Sequence, residues 1–456
     1  MSHWTPRISS EGGPIYRGLA DAIALDIEAG RLRPGDRLPP QRRLAELLEV
    51  DLTTVSRGYA EAQSRGLIES QIGRGTFVAD SSRGSGASDP RRGDEVDLTM
   101  NLPPEPSDPD LLTRMQEGVA AVAADLTALL RYQSPVGAEV DRQAARLWLG
   151  QRGLEAEVDR IAITPGANAT IFAVLGTIAR DGGVVLSERI TYPGAQAITR
   201  RCGYRLMSLE EDAEGITPEA LEGAVQEHHP RALYLNPTLN NPTTRTMPMS
   251  RRQEIATVLR RHHLPLIEDD AYGFLPASAP PPIASLVPEL SWYVGGLAKV
   301  FGGGLRLAFT VAPDARCAYQ LGQTLKTIAV MPPMLSAAVM TRWIEDGTAD
   351  LVRDFVRKEA AARQTIALKG LEGFDLESQP EALNIWLRLP EGVSRADVVA
   401  RMQGVRIGIL PSDPFVVMGE RPEALRICLG GPMSREKLQT GLSRLANTLG
   451  AGYWHG

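Results

Sequence analysis

The chain has few of the residues that mark disulfide-rich, metal-binding or membrane proteins. Its three cysteines, Cys202, Cys317 and Cys428, are far apart and lack the spacing of metal ligands. They argue against a disulfide framework, are most simply interpreted as small buried apolar residues, and fit a reducing cytoplasm. No apolar run is long enough to span a bilayer, and no basic segment followed by an apolar one opens the sequence. Neither a membrane anchor nor a secretory signal is therefore expected.

A general basic character is also missing from the first part of the chain. Residues 1–80 contain 10 arginines, no lysine and 11 acidic residues, which gives a formal charge of −1. If this segment binds nucleic acid, the contact must come from a local face that carries arginines rather than from a broad positive field.

The composition is that of an ordinary globular protein, with 43% apolar and 23% charged residues. A chain of 456 residues exceeds the size at which one hydrophobic core keeps growing, so two or more domains are expected. Residues 80–96 are rich in Ser, Gly, Asp and Arg and have no apolar period, which is typical of a linker. The sequence therefore predicts a small module over 13–79 and a large domain over 97–456.

Apolar segments alternate with amphipathic stretches after this linker. The alternation predicts an α/β domain with a mostly parallel sheet over about residues 130–335. From about residue 336 a helical region runs to Lys369 and short strands follow, which indicates a smaller C-terminal α+β subdomain over 336–456. The predicted strands are Arg160–Thr164, Gly183–Leu186, Ala232–Leu235, Leu264–Ile267, Trp292–Val294 and Leu307–Val311, with later ones near Ala382–Leu389 and Ala424–Leu429.

The small module has the pattern of three helices and a β-hairpin, the order of a winged helix-turn-helix. Apolar residues spaced by four predict one face of the first helix, made of Ile15, Leu19, Ile23 and Ile27, and Gly30 ends it. Asp51 is suited to cap the third helix, and residues 72–75 have the composition of a tight turn. The predicted helices are Pro14–Gly30, Gln41–Leu48 and Asp51–Gly66, and the predicted strands are Ile68–Gln71 and Thr76–Ala79.

Several polar residues lie on the turns of this module and at the start of its third helix, where a winged helix contacts DNA. The alternative is a small helical accessory domain with exposed arginines. The candidate DNA-contacting residues are Arg42, Thr53, Thr54, Arg57 and Arg74.

The segment from Gly30 to Ser70, with GRGTFVA after it, resembles the GntR class of bacterial repressors over about residues 13–79. The resemblance implies that Arg42 and the Thr53–Arg57 segment contact double-stranded DNA, and that Gly75 lies at the tip of the wing. One position departs from the family: Asp51-Leu52 stands where Ser-Arg commonly begins the recognition helix. This puts either the affinity or the usual base preference in doubt.

The large domain has one lysine in an unusual setting. Lys299 lies in YVGGLAKVFGGGLRLAF, between an apolar strand and a glycine cluster, whereas the other four lysines lie in polar helical stretches. Pyridoxal-phosphate (PLP) chemistry needs a lysine that bonds to the cofactor, a carboxylate for its ring nitrogen and a cation for its phosphate. Small residues let a cofactor approach the backbone, and Arg306 offers a planar fork for a phosphate.

Other segments supply the remaining parts. Asp269 lies at a predicted strand end, with Tyr272 three residues later, so its carboxylate is placed at the edge of a parallel sheet where clefts form. Asn241 lies in another strand-end loop. Gly166 joins a strand to a helix and leaves amides for an anion, and Tyr192 could stack on a ring.

These segments, in this order, resemble the aminotransferases of PLP fold type I from about Val96 to the C-terminus. Arg426, in EALRICLGG, matches the arginine that binds a substrate carboxylate, and Tyr132 resembles the tyrosine that one subunit lends to the phosphate site of the other. The resemblance further implies that Lys299 bonds to PLP, Asp269 pairs with the ring nitrogen, Asn241 and Tyr272 hydrogen-bond the phenolic oxygen, Gly166, Ala167, Asn168 and Arg306 hold the phosphate, and Tyr192 stacks.

Three positions depart from the fold type I pattern. Gly296 and Ala298 stand where hydroxyl residues are usual, so one phosphate hydrogen bond worth about 1–3 kcal/mol is expected to be missing. Thr244 stands where glycine is usual. PLP binding is therefore expected to be weaker than in a working aminotransferase.

A GntR-like winged helix followed by such a domain resembles the MocR subfamily of bacterial regulators. This implies a homodimer whose large domain senses PLP, or an amino acid or amine that reacts with PLP, and so changes how the winged helices sit on an operator. Two alternatives stay open. The first is an active aminotransferase with an accessory DNA-binding domain, and the second is a DNA-binding protein whose large domain is only a dimerisation scaffold.

Overall fold

The structure is a computed structural model that describes residues 4–6, 14–33, 35–65, 67–71, 75–78, 96–178 and 183–450. The chain divides into two compact units, Met1–Glu95 and Val96–Gly456. Gly66, Arg74 and all but the last residue of the predicted linker 80–96 lie outside the described residues, so the expectations placed on them stay predictions. In the described ranges no helix has the length and apolar character needed to cross a membrane.

In its described residues, the first unit has three helices and one pair of antiparallel strands around a small core. Leu19, Ile23, Leu44 and Val55 are buried together, but Ile15, predicted on the same face of the first helix, is 49% exposed. Residues spaced by four drift around a helix of 3.6 residues per turn, so the ends of such a stripe leave the core. The elements are α1 (Ile15–Glu28), α2 (Gln41–Leu48), α3 (Leu52–Ser64), β1 (Ile68–Gln71) and the antiparallel β2 (Gly75–Val78).

The second unit alternates strands and helices and then ends in a smaller α+β part. Its helices are α4 (Pro109–Ala123), α5 (Leu126–Leu129), α6 (Glu139–Gly150), α7 (Ala167–Ile178), α8 (Pro193–Arg201), α9 (Pro218–His228), α10 (Met249–His262), α11 (Ile283–Leu286), α12 (Ala298–Phe301), α13 (Ala315–Ala329), α14 (Met334–Glu345), α15 (Thr348–Gly370), α16 (Arg395–Arg401) and α17 (Arg435–Gly450). Its strands are β3 (Ile161–Thr164), β4 (Gly183–Ser187), β5 (Tyr204–Ser208), β6 (Glu211–Asp212), β7 (Gly215–Ile216), β8 (Ala232–Leu235), β9 (Leu266–Asp269), β10 (Ser291–Gly296), β11 (Ala308–Val311), β12 (Asp375–Glu377), β13 (Asn384–Arg388), β14 (Gly408–Pro411) and β15 (Ala424–Cys428).

The central sheet has seven strands in the order β3-β11-β10-β9-β8-β4-β5. The five strands from β10 to β5 are parallel to one another, and β11 is antiparallel to both of its neighbours, β3 and β10, which confirms a mostly parallel sheet. The carboxyl ends of β8, β9 and β10 therefore lie at one edge, where open α/β sheets bind their ligands. Strand β9 begins at Leu266 rather than at the predicted Leu264, since Pro265 before it has no amide hydrogen to donate.

The smaller part is built on a four-stranded antiparallel sheet in the order β12-β13-β15-β14, packed against α15, α16 and α17. The helical region predicted up to Lys369 is divided into α14 and α15. Gly347, with φ of 78°, stands before α15 in a left-handed conformation that a continuous helix excludes.

Candidate functional site

A cavity opens at the carboxyl edge of the central sheet, with a free volume of about 180 Å³. It is enclosed by the loops after β8, β9 and β10 and by the start of α7. Nine of the residues predicted for the cofactor line it, and Tyr132 and Arg426 are not among the described residues that do. The nine are Gly166, Ala167, Asn168, Tyr192, Asn241, Asp269, Tyr272, Lys299 and Arg306.

Asp269 is the last residue of β9 and is only 3% exposed. The Tyr234 hydroxyl donates to its Oδ2 at 2.8 Å, while its Oδ1 is buried and has no partner among the described residues. Burial raises the pKa of Asp269 to about 6. One buried carboxylate oxygen of Asp269 therefore has room to accept a further hydrogen bond.

Lys299 lies in the short helix α12, directly after β10, with its amine in the same cavity. The Nζ donates to the carbonyl oxygens of Met100 at 3.1 Å and Asn101 at 2.9 Å. Burial, with the neighbouring Arg426 guanidinium, lowers the pKa of Lys299 to about 8. A larger share of this amine is therefore neutral near pH 7 than in an ordinary lysine, and only the neutral amine attacks an aldehyde.

Gly166 and the start of α7 form the part of the cavity suited to an anion. Gly166 has φ of 92°, and a Cβ there would lie 2.9 Å from the Arg306 Nη2, so the guanidinium can approach only bare backbone. Ala167 and Asn168 follow in the first turn of α7, where helix amides attract negative charge. Tyr192 donates to the Asn168 Oδ1 at 3.2 Å, which places its ring beside this turn.

Asn241 and Tyr272 are each fixed by residues that sequence patterns did not single out. The backbone N–H of Asn241 donates to the Asn236 Oδ1 at 2.8 Å, and the Asn236 Nδ2 in turn donates to the backbone carbonyl of Asp269 at 2.6 Å. The Tyr272 hydroxyl accepts from the Asn101 Nδ2 at 2.9 Å. Asn101 lies 171 positions before Tyr272, so no local sequence signal could have linked them.

Arg426 lies in β15 and is 5% exposed. Its Nη1 donates to the Asn241 Oδ1 at 2.9 Å, its Nη2 donates to the Thr99 carbonyl, and its guanidinium lies 5.0 Å from the centre of the Phe415 ring. Arg426 therefore contacts residues of the cavity wall from behind it. Tyr132 is 86% exposed and makes no part of the cavity within its own chain.

The candidate DNA residues that the structure describes are exposed or half-buried in the first unit. Arg42, Thr53 and Arg57 are exposed and Thr54 is half-buried. The Arg57 guanidinium lies 4.5 Å from the centre of the Tyr16 ring. The conformation of Thr53 is constrained, since its hydroxyl and its backbone N–H both donate to the Asp51 carboxylate, at 2.6 and 2.7 Å. Gly75 has φ of 118°, and a Cβ there would lie 2.9 Å from the Arg37 Nε.

The residues of the cavity fit PLP. A protonated ring nitrogen would supply the donor that Asp269 Oδ1 lacks, and the Lys299 amine is poised for the aldehyde. The bare Gly166 backbone and Arg306 suit the phosphate. When bound at a lysine, PLP supplies an electron sink for the carbon atom next to a substrate nitrogen.

Comparison with protein families agrees with this chemistry. Residues 93–445 match the family of class I and II aminotransferases, and residues 15–78 match the gntR family of bacterial regulatory proteins. The first match spans more than half of the chain and contains the whole cavity. PLP is the cofactor of this aminotransferase fold.

Similar proteins include both regulators and enzymes. The chain is 26% identical to the HTH-type transcriptional regulator YdeF of Bacillus subtilis, over 98% of this chain and 96% of YdeF. It is 28% identical to PtsJ, the vitamin B6 salvage pathway transcriptional repressor of Salmonella typhimurium, over 83% of this chain and 86% of PtsJ. The α-aminoadipate aminotransferase LysN of Thermus thermophilus shares the fold with a TM-score of 0.70 and 24% identity, over 82% of this chain and 97% of LysN. The chain thus belongs to the class I and II aminotransferase family and, with its gntR-type winged helix in front, has the domain pair of the MocR-type transcription regulators.

Proposed function

We propose that this protein is a transcription regulator that binds an operator through its winged helix and senses PLP, or an amino acid or amine that reacts with PLP, through its large domain. One observation carries the proposal: a buried Asp269 oxygen without a partner and the amine of Lys299, whose pKa is lowered, line the same cavity. This cavity belongs to a chain with an N-terminal winged helix. In this assignment residues 13–79 bind DNA, 80–96 connect, and 97–456 bind the ligand. Such a regulator works in the cytoplasm.

The cofactor roles follow the contacts of the cavity. Lys299 bonds to PLP, and Asp269 pairs with the ring nitrogen through the oxygen that has no other partner. Asn241 and Tyr272 bind the phenolic oxygen, Tyr192 stacks on the ring, and the phosphate is held by Gly166, Ala167, Asn168 and Arg306.

A second copy of the chain completes this site. Tyr132 is 86% exposed, and Leu130 beside it is 67% exposed, an arrangement that suits a surface covered by a partner. We assign Tyr132 to the phosphate site of that partner in a homodimer. Arg426 is assigned to the carboxylate of an amino-acid effector.

The DNA roles rest on exposure and on position in the winged helix. Arg42, Thr53, Thr54 and Arg57 lie on α2 and at the start of α3, and Gly75 lies at the start of β2, after the predicted wing residue Arg74. We assign Thr53 and Thr54 to base edges and the arginines to phosphates. A ligand shifts such a protein between operator-binding arrangements only by its different affinity for them.

An active aminotransferase is the second candidate, because Lys299, Asp269 and Arg426 are all present and LysN shares the fold. The departures at Gly296, Ala298 and Thr244 weigh against it. Thr244 has φ of 63°, a left-handed conformation that explains why glycine suits this position better. Steady conversion of an amino acid with a keto-acid acceptor would favour this candidate.

The test is the visible absorption of the protein after PLP addition and desalting, for the parent, Lys299→Ala and Lys326→Ala. Lys326 is an exposed lysine of α13 and serves as the matched control. We expect a retained PLP band in the parent and in Lys326→Ala, and its loss in Lys299→Ala. Equal bands in all three would remove Lys299 from its role, and no band in any would favour the scaffold alternative. If neither PLP nor an amino compound changes the affinity of the protein for its operator, the proposal that the large domain senses these ligands is wrong.

A further inference from the structure

The first residues of the second unit lie across the groups that the proposed ligands need. We call Asp97–Leu102 the strap. Leu98–Met100 form a short 3-10 helix, and Asn101 after it is 1% exposed with φ of 51°. The strap directly follows residues 80–96, which connect to the winged helix.

Three successive carbonyl groups of the strap accept hydrogen bonds from the two cationic side chains Lys299 and Arg426. The Lys299 Nζ donates to the carbonyls of Met100 and Asn101, at 3.1 and 2.9 Å. The Arg426 Nη2 donates to the carbonyl of Thr99. These carbonyl oxygens thus take hydrogen-bond donors of the two side chains that are assigned to PLP and to an effector carboxylate.

Arg426 contacts both the strap and the cavity wall but does not itself line the cavity. Met100 and Leu102 line the cavity, whereas Arg426 does not belong to the described residues that line it. The Arg426 Nε is buried and has no partner among the described residues, so the guanidinium keeps unused donor capacity. A carboxylate that binds at the Arg426 Nη2 would have to replace the Thr99 carbonyl there.

Several identifiable contacts hold the strap in place, among them a hydrogen bond from the Cys428 Sγ to the Thr99 carbonyl at 3.8 Å. The Asn101 Nδ2 donates to the Tyr272 hydroxyl and to the Asn384 Oδ1, both at 2.9 Å. Two glycines leave room for its backbone: a Cβ at Gly408 would lie 2.1 Å from the Leu98 carbonyl oxygen, and one at Gly430 would lie 1.7 Å from that of Leu102. Neither glycine has a positive φ, so the local backbone conformation would accept alanine at both positions. The added methyl group would, however, clash with the strap.

We propose that an amino acid bound with PLP displaces the strap, because its carboxylate takes the place of the Thr99 carbonyl at Arg426. The displaced segment is the part of the large domain that joins the connection to the winged helix, and its release is the signal that ligand binding sends. This inference rests on the proposed function and adds to it the element that responds.

The test uses two stable conjugates that differ only in the carboxylate: phosphopyridoxyl-L-leucine and the same conjugate made with isopentylamine. Their affinities are measured by calorimetry, and hydrogen–deuterium exchange is followed in peptides that cover Asp97–Leu102. We expect the leucine conjugate to speed exchange in the strap about tenfold, the size expected when a hydrogen bond to a charged group is lost, and the isopentylamine conjugate to do so less.

The outcomes separate this inference from the proposed function. If the leucine conjugate binds and strap exchange is unchanged or slower, the strap proposal is wrong and PLP binding stands. If neither conjugate binds, both are overturned.

Gly430→Ala provides a second test, with Gly450→Ala as its control. Gly450 ends α17 and has open space where a Cβ would lie. In Gly430→Ala we expect fast strap exchange without ligand and about tenfold tighter binding of the leucine conjugate, since the competing carbonyl is already displaced. The control should match the parent, and binding to Gly430→Ala that is no tighter than to the parent would contradict the proposal.

Discussion

The winged helix takes its candidate DNA residues from one stretch, Arg42 to Gly75, whereas the cofactor cavity takes its residues from Met100 to Leu307. The first set is mostly exposed and lies on neighbouring elements. The second is set in a cavity where burial shifts the pKa values of Asp269 and Lys299 toward each other, to about 6 and about 8. A surface that grips a polyanion needs charges in water, while a covalent cofactor site needs ionisable groups that are partly deprived of it.

This contrast predicts that substitutions in one unit leave the binding readout of the other unchanged when the ligands are tested separately. Each of the following variants is therefore to be measured both for PLP binding and for binding to a mixed-sequence DNA duplex.

Asp269→Asn should have the largest effect. The amide cannot pair with a protonated ring nitrogen as a carboxylate does, so PLP affinity should fall about tenfold to a hundredfold, the loss of one charge-assisted hydrogen bond. PLP-free Asp269→Asn should unfold no more easily than the parent, because the substitution removes a buried group whose raised pKa shows that its charge is unfavourable there. PLP titration and denaturant unfolding check the two effects, with the exposed Asp397→Asn as control. Unchanged PLP affinity would remove Asp269 from its assigned role.

Arg57→Ala should weaken binding to the DNA duplex about tenfold at low salt and leave PLP binding unchanged. The exposed Arg57 guanidinium is assigned to a phosphate, and the slope of log affinity against log salt should drop by about 0.9 when one such contact is lost. Arg65→Ala is the matched control, since Arg65 is paired with Asp21 and Glu61 at the far end of α3. A larger loss in Arg65→Ala than in Arg57→Ala would place the DNA surface elsewhere.

Glu188→Gln should change how stability depends on pH. Glu188 is buried, and its carboxyl accepts from the backbone N–H of Asn236 at 3.0 Å and from the Thr191 hydroxyl at 3.2 Å. Burial raises its pKa to about 8. Between its ordinary value of 4.5 and about 8, the folded protein holds a proton that the unfolded chain has lost. The free energy of unfolding of the parent should therefore fall through this window, by on the order of 1 kcal/mol per pH unit, from this group.

Glutamine does not titrate, so Glu188→Gln should lack that part of the decline. Denaturant unfolding of the PLP-free protein at several pH values in this window measures it, and DNA binding should not change. Parallel stability curves for parent and variant would show that Glu188 is ionised in the folded protein.

Asp51→Ser should have the smallest effect and acts only on the first unit. Both residues cap a helix well, so α3 should keep its stability, while a negative charge leaves the start of the candidate recognition helix. Binding to the mixed-sequence duplex should tighten by about twofold to fivefold at low salt and less at high salt. Weaker binding of Asp51→Ser would mean that the carboxylate itself contacts the DNA.

The two units also differ in how far their sequences reveal them. The helices and hairpin of the first unit follow from local periodicity and from residues such as Asp51, which caps α3 as expected. In the second unit the mostly parallel sheet and the place of Lys299 after β10 were predictable from alternating segments. The boundaries of the helices were harder to predict. The apolar pattern predicts one helix up to Lys369, but the left-handed conformation of Gly347 ends α14 and lets α15 begin after it.

Asn101, Asn236 and Tyr234 could not be identified in this way. Tyr234 is an ordinary strand residue within an apolar run, and Asn101 precedes the predicted cofactor residues that line the cavity by more than sixty positions. Their roles arise from contacts with Asp269, Asn241 and Tyr272 that only the folded chain creates.

The sequence by itself determined that a winged helix precedes an aminotransferase-like domain, since short-range periodicity, capping residues and one lysine among glycines encode both. Only the tertiary structure decided that Arg426 contacts Asn241 behind the cavity wall and that the strap carbonyls occupy Lys299 and Arg426. Hydrogen bonds between residues some 200 to 330 positions apart depend on how the sheet and the smaller subdomain come together, and local patterns carry no record of that.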